Sequence, residues 1–130
     1  MRIYTDASAI VSLYDLQDTN HTKAENISKG YLEDDYLTSA YSFAEIVTIL
    51  SQKVDRKTAI AVGNHIKQTY TWVEINKDVE DLTWEIFKKQ NSKNVSFVDC
   101  TIFALYQEGL FDKVFTFDTD FKTNKIPILE

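Results

Sequence analysis

The chain is short of cysteine, proline, glycine and positive charge, and each shortage closes off a class of protein. Cys100 is the single cysteine. It has no partner for an internal disulfide, so a bridge-stapled secreted domain is not expected and a reducing compartment is. One proline, Pro127, and three glycines leave no flexible linker. No apolar run approaches the ~20 residues that cross a bilayer, and no positive-then-apolar segment precedes the first strand candidate. We therefore expect no membrane span, no leader and a cytoplasmic location. Internal repeats and low-complexity tracts are missing too. Fourteen Lys and Arg stand against 20 Asp and Glu, giving a formal charge of −6 and a pI near 4.9. That balance argues against holding nucleic acid through a broad basic face.

What is present suffices for one domain spanning 1–130. With 44% hydrophobic and 13% aromatic residues, a chain of this length buries somewhat under ~70% of its unfolded surface. Arg2-Ile3-Tyr4-Thr5 predicts a strand that stops at Asp6 and turns directly into a helix over 7–16. A second helix is expected over 22–32 and a short strand over 36–39. Phe43, Ile46, Val47, Ile49 and Leu50 then recur at helical spacing. Arg56 to Gln68 reads as a further helix, and Tyr70 to Ile75, dense in aromatic and β-branched residues, as a strand. Helices follow around Val79–Phe87 and over 97–106, the latter stopped by Gly109. Lys113 to Phe117 is the fourth strand candidate, and Ile126-Pro127-Ile128-Leu129 a short edge strand. Strands separated by helices imply right-handed crossovers, hence an α/β, three-layered fold with a parallel sheet of four to five strands and helices on both faces.

Four acids recur at the edges of these apolar runs: Asp6 after the first strand, Glu45 and Asp99 near the heads of two helices, Asp118 past the fourth strand. Each has a purely structural reading. Asp6 is a plausible helix cap, and Ser42-Phe43-Ala44-Glu45 and Ser96-Phe97-Val98-Asp99 both match the capping box. Pointed at one crevice beyond the carboxyl ends of parallel strands, the four would repel, each pair at ~5 Å by roughly 3 kcal/mol at an effective dielectric near 20. Such a cluster requires a cation. Oxygen-only ligands suit Mg²⁺ or Mn²⁺, which assist phosphodiester hydrolysis. With these four charges neutralised, −6 becomes −2, and a phosphate-bearing substrate is no longer excluded.

Four segments in order, spanning nearly the whole chain, resemble the PIN-domain ribonucleases and, within them, the small VapC-type toxins of prokaryotic toxin-antitoxin pairs. They are Tyr4-Thr5-Asp6-Ala7-Ser8-Ala9-Ile10, Thr38-Ser39 through Phe43-Ala44-Glu45-Ile46, Ser96-Phe97-Val98-Asp99-Cys100-Thr101-Ile102, and Phe115-Thr116-Phe117-Asp118-Thr119-Asp120-Phe121. The resemblance implies a PIN-like fold and a metal-dependent endoribonuclease in which Asp6, Glu45, Asp99 and Asp118 hold Mg²⁺ or Mn²⁺. Ser8 and Thr116 match small hydroxyl positions that hydrogen-bond the ligands from behind. Asp120 either joins the cluster or faces water. Cys100 stands where many relatives carry alanine. An RNA substrate, a small antitoxin protein and a homodimer are the partners implied.

Other features are weaker. His21 and Glu25 have i, i+4 spacing that suits a metal pair, but a solvated helix face explains them better, and His65 has still less support. Lys53, Arg56 and Lys57, then Lys88, Lys89 and Lys93, then Lys122 and Lys125 form three basic groups that suit either solvated helix ends or an RNA backbone. Trp72 and Trp84 sit in apolar patterns and are expected in the core. Cys100 lacks a histidine in a comparable motif, against a nucleophilic role. A phosphatase of the haloacid dehalogenase kind needs a second carboxylate two residues after the first, where this chain has Ser8. A receiver-type phosphoacceptor needs paired acids near the first strand. The remaining alternative is a catalytically inactive PIN-like domain that binds protein or RNA.

Overall fold

The computed structural model describes residues 1–130. Its centre is a four-stranded parallel sheet of β1 (Arg2–Thr5), β2 (Asp35–Thr38), β3 (Thr71–Trp72) and β4 (Lys113–Phe115), in the order β3-β2-β1-β4. Seven helices surround it: α1 (Ala7–Tyr14), α2 (His21–Lys29), α3 (Ala40–Lys53), α4 (Arg56–Thr69), α5 (Lys77–Lys88), α6 (Phe97–Gln107) and α7 (Asp120–Thr123). The expected α/β architecture is present.

Period-2 alternation on β1 divides the core. Tyr4 points toward α5, α6 and α7, in a cluster with Leu37, Phe103, Val114 and Phe121. Ile3 points the other way, with Ala9, Ala24 and Phe115 beside α1 and α2. Successive strand side chains leave opposite faces, so a strand covered on both sides must be apolar on both. A third cluster, built from Ala7, Ile10, Ile46, Leu50, Val62 and Ile66, locks α1 to the α3–α4 pair. Register pairs Tyr4 with Leu37 on one side and with Val114 on the other. All strands therefore end together at the edge where Asp6 begins α1.

Several expected elements are trimmed or moved. The strand predicted over 70–75 pairs only at Thr71–Trp72, because it is an outer strand with no neighbour beyond it. The predicted edge strand over 126–129 is a single parallel bridge between Val114 and Ile128. β4 ends at Phe115, two residues early, since Thr116 and Phe117 turn their polar groups to the first strand's acid and to Ser8. α1 and α2 stop before Leu16 and Leu32, which are 76% and 74% exposed and add nothing to a buried face. Trp72 and Trp84 are not core residues: they are 38% and 52% exposed. Trp72 lies against Phe43 with Lys67 over its ring at 5.3 Å, and Trp84 stacks on Phe87. Gly109 ends α6 as expected, in the left-handed region at φ 75°, where a side chain is disfavoured.

Candidate active site

Asp6 occupies the N-cap position of α1 in extended conformation, yet its side chain makes no capping hydrogen bond. The carboxylate is aimed elsewhere. Ser8 Oγ and Thr116 Oγ1 each donate to the same oxygen, Oδ2, at 2.7 Å. A hydroxyl has one proton, so both are spent on Asp6. Their oxygens in turn accept the amides of Phe117 and Asp118, at 3.0 Å each. The segment after β4 is thereby tied to the start of α1. Asp6 is only 4% exposed; burial pushes its carboxyl up, opposed by the two hydroxyls and reinforced by Asp118.

Glu45 arrives by a different route. The helix carrying it does not start with a Ser42 capping box; it starts three residues earlier, with Ser39 as N-cap, its Oγ accepting the Ser42 amide. Serine stands at both positions, and the buried Tyr4 hydroxyl joins them, donating to Ser39 Oγ at 2.9 Å and lying 2.7 Å from Ser42 Oγ. Glu45 therefore sits in the second turn of α3, free of backbone duties. Burial, then Asp6, Asp99 and Asp118, push its carboxyl up to about 7.

Asp99 follows the expected pattern. Ser96 Oγ accepts the Asp99 amide and Asp99 Oδ2 accepts the Ser96 amide, both at 3.0 Å, closing a capping box on α6. Desolvation raises its carboxyl to about 6 against the pull of the Ser96 amide, with Asp6 and Asp118 adding repulsion. Asp118 lies past β4, with Oδ1 accepting the Asp120 amide at 2.9 Å. Asp120 opens α7 and supports Asp118 through its backbone, while its side chain does not line the cleft.

Asp6, Glu45, Asp99 and Asp118 all line one open cleft of about 480 Å³. No three of them close on a single point as a finished ligand cage. The donor set nonetheless fits a hard divalent cation: four carboxylates, no histidine or cysteine, and an Asp6 Oδ1 that no side chain occupies. Two further groups stand on the wall: one that the sequence did not single out, and one that it had placed in a basic group suiting a solvated helix end or an RNA backbone. Asp18, which accepts Ser12 Oγ at 3.0 Å, and Lys53 both face the cleft. Lys53 was legible in principle, since it lies eight residues after Glu45 on one helix; Asp18 sits in the loop after α1 and carried no signal.

The weaker candidates fall away on geometry. His21 bonds Glu25 at 2.7 Å through Nε2 and Ser12 O at 2.8 Å through Nδ1, with no third ligand. Cys100 is buried, and desolvation raises its thiol to about 11. Such a thiol is inert.

A parallel sheet whose carboxyl edge gathers acids from β1, α3, α6 and the end of β4 defines a class, and the PIN domain model matches residues 3–126. The chain belongs to the PIN domain family. It is 28% identical over 122 residues, 92% of this chain and 91% of the relative, to the 23S rRNA-specific endonuclease VapC20 of Mycobacterium tuberculosis, in strains CDC 1551 / Oshkosh and ATCC 25618 / H37Rv. It is similar in fold to the crystal structure of Mycobacterium tuberculosis VapC20, described as a Sarcin-Ricin loop cleaving toxin. The TM-score is 0.86, with 23% identity and 95% of each chain covered.

Proposed function

We propose that the protein is a metal-dependent endoribonuclease and the toxin of a toxin-antitoxin pair. One observation carries this reading: four acids from distant parts of the chain line a single cleft, with two carboxyls pushed to about 6 and about 7 by burial and by neighbouring acids. Perturbed carboxyls gathered in a cleft are the mark of a working site. The relative's action on 23S rRNA makes ribosomal RNA the first substrate to try.

In this reading Asp6, Glu45, Asp99 and Asp118 hold Mg²⁺ or Mn²⁺. When bound, the cation supplies Lewis-acid stabilisation of phosphoryl charge and a more acidic attacking water. The chain's own residues do the rest. Ser8 and Thr116 fix Asp6 Oδ2, so that Oδ1 faces the cleft. The proton lost as water adds to phosphorus passes to solvent at the open mouth of the cleft. The bond to the leaving ribose oxygen breaks in line, and that oxygen is protonated from solvent.

The partners follow the same reading. RNA is the substrate and a small antitoxin the inhibitor, both in the cytoplasm. A second copy of the chain is supported by aromatic surface left uncovered, where Trp84 stacks on Phe87 and Phe87 meets Phe97 edge-on. No helix is long and apolar enough to cross a membrane.

The test is cleavage of a sarcin–ricin loop RNA and of unrelated RNAs with Mg²⁺, Mn²⁺ or chelator. Metal-dependent cleavage lost in Asp6→Asn, with unchanged melting, supports the assignment. RNA binding without cleavage under either metal would replace it with the inactive binding module, and a monomer by light scattering at micromolar concentration would remove the second copy.

A further inference from the structure

Glu45, Ile49 and Lys53 stand four residues apart on α3 and share one face of that helix. All three line the carboxylate cleft. The eight residues from Glu45 to Lys53, at ~1.5 Å each, separate them by ~12 Å along the axis. The cleft therefore runs along α3 from the acids at the end of the strands to Lys53, and Asp18 and Asn20 also line it.

Lys53 is the single cation on that wall. It is exposed and enters none of the chain's ion pairs. A lysine in the last turn of a helix complements the dipole wherever it points, but that role does not require it to face the cleft. In a chain of charge −6, the cation on the wall of the cleft itself is the nearest one to a strand held there. Once a cation offsets the carboxylates, the Lys53 ammonium is the free positive charge on the strand's path.

We propose that Lys53 is a binding residue for the RNA backbone, gripping a phosphate about two nucleotides from the scissile bond and setting the strand along α3. This rests on the reading of the cleft as a nuclease site. A point-charge lysine suits such a role, since it holds phosphate without demanding one geometry.

The experiment compares wild type, Lys53→Met and Lys53→Arg on an eight-nucleotide single-stranded RNA and on a dinucleotide, with Mn²⁺, over a range of salt. Lys53→Met is expected to raise KM on the octamer about threefold to tenfold with kcat within twofold, and to flatten the slope of log KM against log salt by about 0.7, one phosphate contact on a single strand. Lys53→Arg restores both. The penalty disappears on the dinucleotide, which is too short to reach from the scissile bond. Wild-type cleavage with octamer KM and salt slope unchanged in Lys53→Met overturns this inference alone, as does an equal penalty on both substrates. A wild type that cleaves neither these RNAs nor a sarcin–ricin loop RNA overturns the nuclease reading, and this one with it; where only the loop RNA is cleaved, KM and salt slope unchanged on that RNA in Lys53→Met overturn this inference alone.

Discussion

Thr116 donates a 2.7 Å hydrogen bond to Asp6 Oδ2 across 110 positions of sequence, and Ser8 donates to the same oxygen. Because Ser8 remains, Thr116→Val does not orphan that oxygen. It does leave the Asp118 amide without its acceptor and lets Asp6 rotate. We expect a stability loss of about 1 kcal/mol and a fall of about 10- to 100-fold in metal affinity or activity, with Thr116→Ser near wild type. Thermal melting beside Mn²⁺ titration checks it; unchanged metal affinity in the valine variant would show that Asp6 needs no such brace.

Glu45 gives the protein a pH signature. Its carboxyl titrates at about 7 in the metal-free fold against an ordinary 4.5, because burial and then Asp6, Asp99 and Asp118 disfavour the charge. Between those values the folded chain holds a proton that the unfolded chain has released, so stability falls as pH rises from about 4.5 through about 7. Asp99, raised from 3.8 to about 6, acts in the same direction. In chelator, Glu45→Gln should therefore melt above wild type at pH 8, by on the order of 1 kcal/mol after allowance for solvent screening, and the two should converge near pH 5. Mn²⁺ should stabilise wild type more at pH 8 than at pH 5, since protons compete for the same oxygens. Calorimetric scans at both pH values, with and without metal, test this; parallel curves for the two proteins would refute it.

Tyr4 links the sheet to the helix that carries Glu45. Its hydroxyl is fully buried between Ser39 and Ser42, and burial raises it to about 12. Tyr4→Phe removes the partner of two buried serine hydroxyls, a cost of about 1–2 kcal/mol. Because Ser39 is the α3 cap, the loss should also loosen the first turn before Glu45. Faster amide exchange at the start of α3 than in α6 is the expected observation, and equal exchange in both helices would count against it.

Some of this was legible in the residues and some was not, for physical reasons. Asp6 and Asp118 follow runs whose strand character is local, so their place at the sheet edge could be read directly. The Ser96–Asp99 box was also local, four residues closing on themselves. Glu45 was singled out for a partly wrong reason: serine stands at both 39 and 42, and the helix starts after Ser39, where the strand before it ends at Thr38. Trp72 and Trp84 looked like core because aromatic pattern does not say which face a neighbour covers: β3 is an outer strand, where Trp72 is only partly covered by Phe43 and Lys67, and Trp84 is half-exposed beside Phe87. Lys53 became a cleft residue only through the packing of α1 on α3, which no short motif encodes.

Asp99 holds two offices that substitution can separate. As the third residue of α6 it accepts the Ser96 amide; as a cleft acid it faces Asp6 and Asp118. Asp99→Asn keeps an oxygen for that amide and loses only the charge. It should melt within about 0.5 kcal/mol of wild type, because one hydrogen bond is retained and a repelled charge is removed, while metal binding and RNA cleavage fall at least about 100-fold. Ser96→Ala does the reverse, removing the hydroxyl that caps the Asp99 amide. It should cost about 1 kcal/mol with activity within about threefold of wild type. Melting, Mn²⁺ titration and cleavage on the same two variants make the test. If both variants lost stability and activity in step, Asp99 would be a helix cap whose removal disorders the cleft, and its place in the ligand set would be lost.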